Sequence, residues 1–380
     1  MSVIDELIED TGAFDCVECG KCTSVCPLAE INPEFAPRII VIKAQEGFEG
    51  LVNEKDIWSC LTCGICNDMC PYKVDYTEFI RGLRVEAAHL GATPKCSKGG
   101  LIQTIGKILT SAELNQNRLN WVTDDLKIVD KGEIYFFSGC ITYFDLIFKD
   151  LEITPSDILR STVKIMNKAG ITPALSKEEV CCGHDLNWIG DEKNFKKLME
   201  RNLEIIRSTG AKIIVFACPE CMRTFDFDYQ DIAGDLEFEL VHISEFILNL
   251  IDDGKLELKE QKCKVTYHDP CRLGRHLGIY DDPRDVIKET GAELIEMERN
   301  RNKSTCCGVS AFATCEASSK LMQIDRLSEA KKTGAEKILT FCPKCWLHFK
   351  CTTSKILTAN EEGSKIPVED AIIFIASAIE

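Results

Sequence analysis

The chain has 380 residues, 45% of them hydrophobic, and its 61 acidic against 45 basic side chains give a formal charge of −16. That is enough apolar material for two or three packed domains, while the acidity excludes a surface built for nucleic acid or anionic lipid, which needs clustered Lys and Arg. The 22 cysteines argue against a disulfide framework, which belongs to short secreted domains; the chain opens on the acidic MSVIDELIED, and clustered thiols in a reducing cytoplasm are metal ligands or redox centres.

Residues 1–95 hold two cysteine runs of identical spacing. Cys16-x-x-Cys19-x-x-Cys22-x-x-x-Cys26-Pro27 is repeated as Cys60-x-x-Cys63-x-x-Cys66-x-x-x-Cys70-Pro71, with a helix predicted over Asn32 to Glu46 between them. Pairs of C-x-x-C also suit tetrahedral zinc, but three cysteines in C-x-x-C-x-x-C spacing wrap one face of an iron-sulfur cube more readily. The runs resemble those of bacterial ferredoxins, in which the fourth cysteine ligates the other cluster. That resemblance implies one 4Fe-4S cubane on Cys16, Cys19, Cys22 and Cys70 and a second on Cys60, Cys63, Cys66 and Cys26, together relaying single electrons.

Residues 96–131, with Gly99-Gly100, read as a connector that includes some helix. From Glu133 onward short apolar runs alternate with longer amphipathic ones, the pattern of α/β structure. The pattern occurs twice, over 132–260 and 261–380. Strands predicted at Glu133–Ser138 and Lys264–Asp269 deliver Cys140 and Cys271, and a second pair runs into Cys218 and Cys342. Thr154-Pro155-Ser156-Asp157 and Asp282-Pro283-Arg284-Asp285 each predict a helix start, with Thr154 and Asp282 as caps. The expected fold class is therefore α/β, a helical two-cluster module followed by two duplicated α/β domains. The apolar tail Ala371–Ile379 is half the length needed to span a bilayer and reads as a core helix.

Each copy carries five cysteines, one more than a cubane uses: Cys140, Cys181-Cys182-Gly183 and Cys218-Pro219-Glu220-Cys221, then Cys271, Cys306-Cys307-Gly308 and Cys342-Pro343-Lys344-Cys345. Neighbouring cysteines do not readily share one iron, but they can bind adjacent irons of a larger cluster; a structural zinc or a plain cubane in each half is the alternative. This arrangement resembles the CCG domain of the heterodisulfide reductase family, whose two copies each hold a noncubane 4Fe-4S cluster through five cysteines. From about residue 10 to 350 the chain is similar to that family's fused catalytic polypeptide, a ferredoxin-type part joined to a double CCG domain. The resemblance implies a noncubane cluster on each quintet. It also implies anaerobic reduction of a disulfide, the coenzyme M–coenzyme B heterodisulfide of methanogenesis, to two thiols. The electron donor would be a membrane b-type cytochrome or a soluble flavoprotein complex, placing the chain in the cytoplasm or at the membrane face through a partner. No flavin is expected on this chain, because its glycines do not fall as G-x-G-x-x-G after a strand. The competing class is an electron-transfer protein, as in glycolate, lactate or glycerol-3-phosphate oxidation or a sulfite-reduction-linked membrane complex.

His184, His268 and His276 lie beside the ligands, as proton donors to the thiolate products or as hydrogen-bond donors to sulfur. Arg272 and Arg275 are candidate clamps for anionic ends of the substrate; Arg299, Arg301 and Lys303 are either further clamps or a solvated basic loop. Cys96, Cys263, Cys315 and Cys351 remain, and the default for each is a small buried hydrophobe.

Overall fold

The runs IYFF, IIVF, KVTY and KILT form the central strands of two parallel sheets, and nearly all their residues are buried because helices cover both sheet faces. A computed structural model describes residues 2–47, 50–354 and 365–379. The first sheet has the order β1 (Ile134–Phe137), β2 (Ile213–Phe216), β3 (Glu239–His242), in register from Ile134 against Ile213 to Phe216 against His242. The second comprises β4 (Lys264–Tyr267), β5 (Glu293–Leu294), β6 (Lys337–Thr340) and β7 (Val368–Asp370), in the order β5-β4-β6-β7. The extra strand has a vestige in the first copy, where Ala174 forms a parallel bridge to Tyr135, with backbone hydrogen bonds to Ile134 and Phe136. The expected fold class is the observed one.

The copies face each other about a pseudo-two-fold axis. Helix Ser156–Lys168 of the first packs on Ala371–Ser377 of the second, and Ile243–Asp252 of the first packs on Asp282–Glu289 of the second. Such reciprocal contact defines a two-fold interface. The apolar tail is accordingly a core helix, with Ala371, Ile372, Phe374 and Ile375 buried. The helix starts differ slightly from expectation: the first begins at Ser156, whose amide donates to Asp145 at 2.8 Å, and the second is preceded by Asp281, whose carbonyl accepts from the Arg284 amide at 2.8 Å.

Short helices wrap the N-terminal cysteine runs. The helix expected over Asn32 to Glu46 spans only Pro37–Gln45, because Ala36 stands before proline in extended conformation and cannot join it. Helix Tyr76–His89 carries Arg84, which is fully buried and docks the module on the first copy. It donates to the carbonyls of Ile57 (2.8 Å), Trp58 (3.3 Å) and Cys60 (2.7 Å) within the module and of Trp188 (2.9 Å) across the seam. The fit leaves no room for a side chain at residue 190: Gly190 has φ +81°, and a Cβ there would lie 2.4 Å from the Arg84 carbonyl oxygen. In the connector, Ser97 N–H and Gln103 Nε2 donate to the carbonyls of Phe312 (2.8 Å) and Ala311 (2.7 Å), while Arg118 donates to the Glu179 carbonyl at 2.8 Å. The connector is thereby laced to both copies.

Candidate metal centre

Strand ends bring the cysteines together. Cys218 and Cys342 cap the helices that follow β2 and β6, each before a proline at the first helical position, and Cys140 caps the helix after β1. Gly183 and Gly308 both have φ +84°, so the two Cys-Cys-Gly turns are conformationally alike. In the first copy the thiols neighbour one another in the order Cys140, Cys181, Cys182, Cys221, Cys218. The second repeats it as Cys271, Cys306, Cys307, Cys345, Cys342. Cys218 and Cys342 also neighbour each other, so the two sets of five meet across the pseudo-two-fold as one band.

The N-terminal thiols lie close together beneath the two runs. Cys66 has Cys60, Cys63 and Cys26 as its closest electrostatic neighbours, and it lines one cavity with Cys16, Cys19, Cys22 and Cys70 beside Val41 and Tyr76. Cys22 also neighbours Cys66, and Cys63 neighbours Cys306, so the groups are linked from the exposed Cys19 to the band.

The donor sets fit clusters better than single ions. A tetrahedral zinc with bonds of about 2.3 Å holds its sulfurs roughly 4 Å apart; among the described residues no three cysteine sulfurs lie within 4.8 Å of one another. The backbone packs closely on the sulfurs, since a Cβ at Gly139 (φ +59°) would lie 2.9 Å from Cys221 Sγ. Burial pushes the Cys26 thiol up to about 12 and Cys60 to about 11, so these thiolates need a bound cation to offset their desolvation.

A buried ionic group lies against the band. Lys344 Nζ is 2.5 Å from Asp185 Oδ1 and pairs with Glu220, while His184 Nδ1 is 3.1 Å from Asp185 and 3.3 Å from Glu220. Burial pushes the Asp185 carboxyl up, but Lys344 and His184 more than offset it and hold it well below the usual carboxylate range. Glu220 and Lys344 are the variable residues of the two Cys-Pro-x-Cys elements. Sequence reasoning passed over them, although opposite charges in equivalent slots were a readable signal.

Arg272 and Arg275, expected to clamp the substrate, are placed otherwise. Arg272 commits all three nitrogens inside the protein: Nε to His184 (3.3 Å), Nη1 to His276 (2.6 Å) and the Thr62 carbonyl, and Nη2 to Thr62 Oγ1 (2.8 Å). Its guanidinium stacks 4.3 Å from the Trp188 ring centre. Arg275 donates to the carbonyls of Cys63 (2.6 Å) and Ser304 (2.7 Å). Both arginines therefore staple the module to the second copy. His268 is fully buried and accepts from Arg326 at 3.2 Å; burial and nearby arginines push His268 and His276 well below the usual histidine range. Arg299 pairs with Asp325 and Glu329, and Arg301 with Asp281, so the basic run is largely neutralised.

His348 was not anticipated. It lies three residues after Cys345 on helix Pro343–Thr353, one turn on and on the same face, with Nδ1 3.3 Å from Cys307 Sγ. It also lines a cavity of about 320 Å³ with Lys95, Phe148, Leu151, Phe312 and Leu347. Three of the leftover cysteines, Cys96, Cys315 and Cys351, line the same cavity. None of the four is a buried hydrophobe: Cys315 is exposed and Cys96, Cys263 and Cys351 are half-buried, because the surfaces they occupy stay open.

Residues 134–226 and 265–350 match the Cysteine-rich domain (CCG) family, and residues 12–74 match the 4Fe-4S dicluster domain. Over 96% of its length the chain is 30% identical to a polypeptide of the dihydromethanophenazine:CoB–CoM heterodisulfide reductase of Methanosarcina acetivorans, covering 93% of that protein. The chain belongs to this heterodisulfide reductase family. As a member of that family it is an iron-sulfur oxidoreductase. It is also 31% identical to the EtfAB:quinone oxidoreductase of Syntrophomonas wolfei, over 56% of this chain and 30% of that one. A hypothetical protein from Helicobacter pylori shares the fold, with a TM-score of 0.57 at 11% identity over 99% of this chain and 76% of that one. Among the described residues of this heterodisulfide reductase relative, no helix is long and apolar enough to cross a membrane.

Proposed function

We propose that this chain reduces the coenzyme M–coenzyme B heterodisulfide to its two thiols. The centres are two noncubane 4Fe-4S clusters, one on Cys140, Cys181, Cys182, Cys218 and Cys221 and one on Cys271, Cys306, Cys307, Cys342 and Cys345. Two cubanes feed them, on Cys16, Cys19, Cys22 and Cys70 and on Cys60, Cys63, Cys66 and Cys26. The observation that carries this reading is the pair of buried five-cysteine sets at equivalent strand ends, which neighbour each other through Cys218 and Cys342. The reaction breaks one S–S bond and forms two S–H bonds, consuming two electrons and two protons. When bound, the clusters supply single electrons and iron sites with affinity for sulfur.

The chain's own residues position, desolvate and protonate. We assign proton delivery to His184 with Asp185 and Glu220, the polar group that touches the band, and cluster-orienting roles to His268 and His276. The module over 1–95, the connector over 96–131 and the halves over 132–260 and 261–380 then act as relay, lacing and reaction centre. An electron-donor partner, either a membrane b-type cytochrome or a soluble flavoprotein complex, meets the exposed edge at Cys19 and holds the chain at the cytoplasmic face.

The match to a quinone oxidoreductase favours a second reading, in which the same centres only pass electrons onward. Cysteine variants separate the two. Cys182→Ser and Cys307→Ser should each abolish release of thiols from the heterodisulfide while the N-terminal cubanes keep their paramagnetic resonance signals. Full thiol release from either variant would contradict the paired-centre reading.

A further inference from the structure

We propose that Arg84, Arg272 and Arg275 fix the direction of the relay: they hold the inner cubane, on Cys60, Cys63, Cys66 and Cys26, at a higher reduction potential than the outer one, on Cys16, Cys19, Cys22 and Cys70. The inference rests on the cluster assignment proposed above. In the step concerned one electron leaves the outer site, which is oxidised, and arrives at the inner site, which is reduced. No bond is made or broken and no proton moves, so the electrostatics of the two sites decide which way the electron runs.

The two cysteine runs have one backbone shape and opposite surroundings. Glu18 and Thr62 fill the same slot with φ +57° and +46°, and Gly20 and Gly64 follow at +76° and +77°. On the stretch Cys60–Cys63 three guanidiniums converge: Arg84 on the Cys60 carbonyl (2.7 Å), Arg272 on the Thr62 carbonyl and on Thr62 Oγ1 (2.8 Å), and Arg275 on the Cys63 carbonyl (2.6 Å). Arg84 is fully buried and Arg272 nearly so. None of the three has an ion pair among the described residues, whereas the buried Arg223, Arg284 and Arg326 all do. Asp68 lies in the field of Arg275 but is exposed and beyond ion-pair distance. Buried cations without carboxylates need an anion close by, and a cluster on four thiolates is a net anion whose charge grows by one on reduction. In the outer run the slot of Thr62 holds the exposed Glu18, and residues 2–20 carry the exposed Asp5, Glu6, Glu9, Asp10, Asp15 and Glu18 with no Lys or Arg. Lys21 and Arg38 line the cavity beside the outer cysteines, but one is exposed and the other half-buried, so water screens both. Burial acts in the opposite sense: Cys60, Cys63 and Cys66 are buried while Cys19 is exposed, and a dry site disfavours added negative charge. By itself that would make the inward step uphill. Three permanent cations on one loop reverse it, since a charge within the protein acts about fourfold more strongly than one in water.

The test is an anaerobic redox titration of the iron-loaded full chain with dithionite and mediator dyes, read by paramagnetic resonance without any disulfide present. Two cubane signals should appear at separate midpoints. Glu18→Gln, a surface change, should raise the lower midpoint and leave the higher one in place, which identifies the outer site. Arg275→Gln should lower the higher midpoint, cutting the reduced-to-oxidised ratio there about tenfold, equivalent to about 59 mV for a one-electron couple. Arg275→Lys keeps the charge and should retain most of the native value, although it gives up the same planar hydrogen bonds, so a loss of packing alone would move both variants alike. A response of the higher midpoint to Glu18→Gln, no shift in Arg275→Gln, or equal shifts in the Gln and Lys variants would overturn the proposal; should Arg275→Gln not fold, the native order and Glu18→Gln still decide. The expected order of midpoints without thiol release from the heterodisulfide would instead sink the functional reading and leave the gradient standing.

Discussion

Glu220 and Lys344 occupy the same slot in two copies of one motif and meet across the pseudo-two-fold. Lys344 is 3% exposed and faces two carboxylates, so its ammonium has exchanged water for Asp185 and Glu220. Removing one member of a buried ion group costs about 3–5 kcal/mol, because the remaining charge is stranded, whereas removing matched partners costs far less. Lys344→Met should therefore lower the thermal midpoint sharply. The triple variant Asp185→Asn, Glu220→Gln, Lys344→Met should recover much of the loss. Additive losses in scanning calorimetry would show that the group is uncoupled. The iron-sulfur character was legible in the sequence because a cysteine pattern encodes its chemistry in spacing. Lys344 and His348 were not, since their meaning depends on which residues the fold sets opposite them.

His242 and Asp370 stand at equivalent strand ends, paired in register with Phe216 and Thr340, and each begins the helix that crosses to the other copy. His242 Nδ1 accepts from the Ser244 amide at 3.3 Å, and burial pushes its pKa down to about 3. The neutral ring is thus favoured in the fold, while the unfolded chain takes up a proton near the ordinary value. Its contribution to stability is complete above about pH 6.5 and declines by up to about 1.4 kcal/mol per pH unit as pH falls toward 3. His242→Asn keeps an acceptor without the titration. Urea unfolding at pH 7 and pH 5 should show a smaller loss in the variant than in the native chain, and equal losses would refute the assignment. At this scale the strands and the duplication were readable from apolar runs. The π-helical turns Thr224–Tyr229 and Arg272–His276 were not, because nothing in local sequence marks an added residue per turn. The second of these turns aims Arg272, Arg275 and His276 at the module, which is why the two arginines are staples.

For the whole molecule, Arg84 pins the N-terminal module to the first copy, as Arg272 and Arg275 pin it to the second. Its side chain satisfies four carbonyls, one of them across the seam, so Arg84→Met would leave several buried acceptors unpaired, at about 1–3 kcal/mol each. Limited proteolysis should then cut the connector faster and reduction of the band should slow, whereas Arg84→Lys should be intermediate; unchanged cleavage in Arg84→Met would mean that other contacts suffice. The order of the thiol groups, from Cys19 inward through Cys63 and Cys306 to Cys218, is the path that the proposed function assigns to electrons. The most direct measurement is anaerobic turnover of the iron-loaded chain with reduced viologen and the coenzyme M–coenzyme B heterodisulfide. It should release both thiols in equal amounts for every two electrons taken from viologen. A chain with its full complement of iron that oxidises viologen with a quinone but releases no thiol would contradict the account.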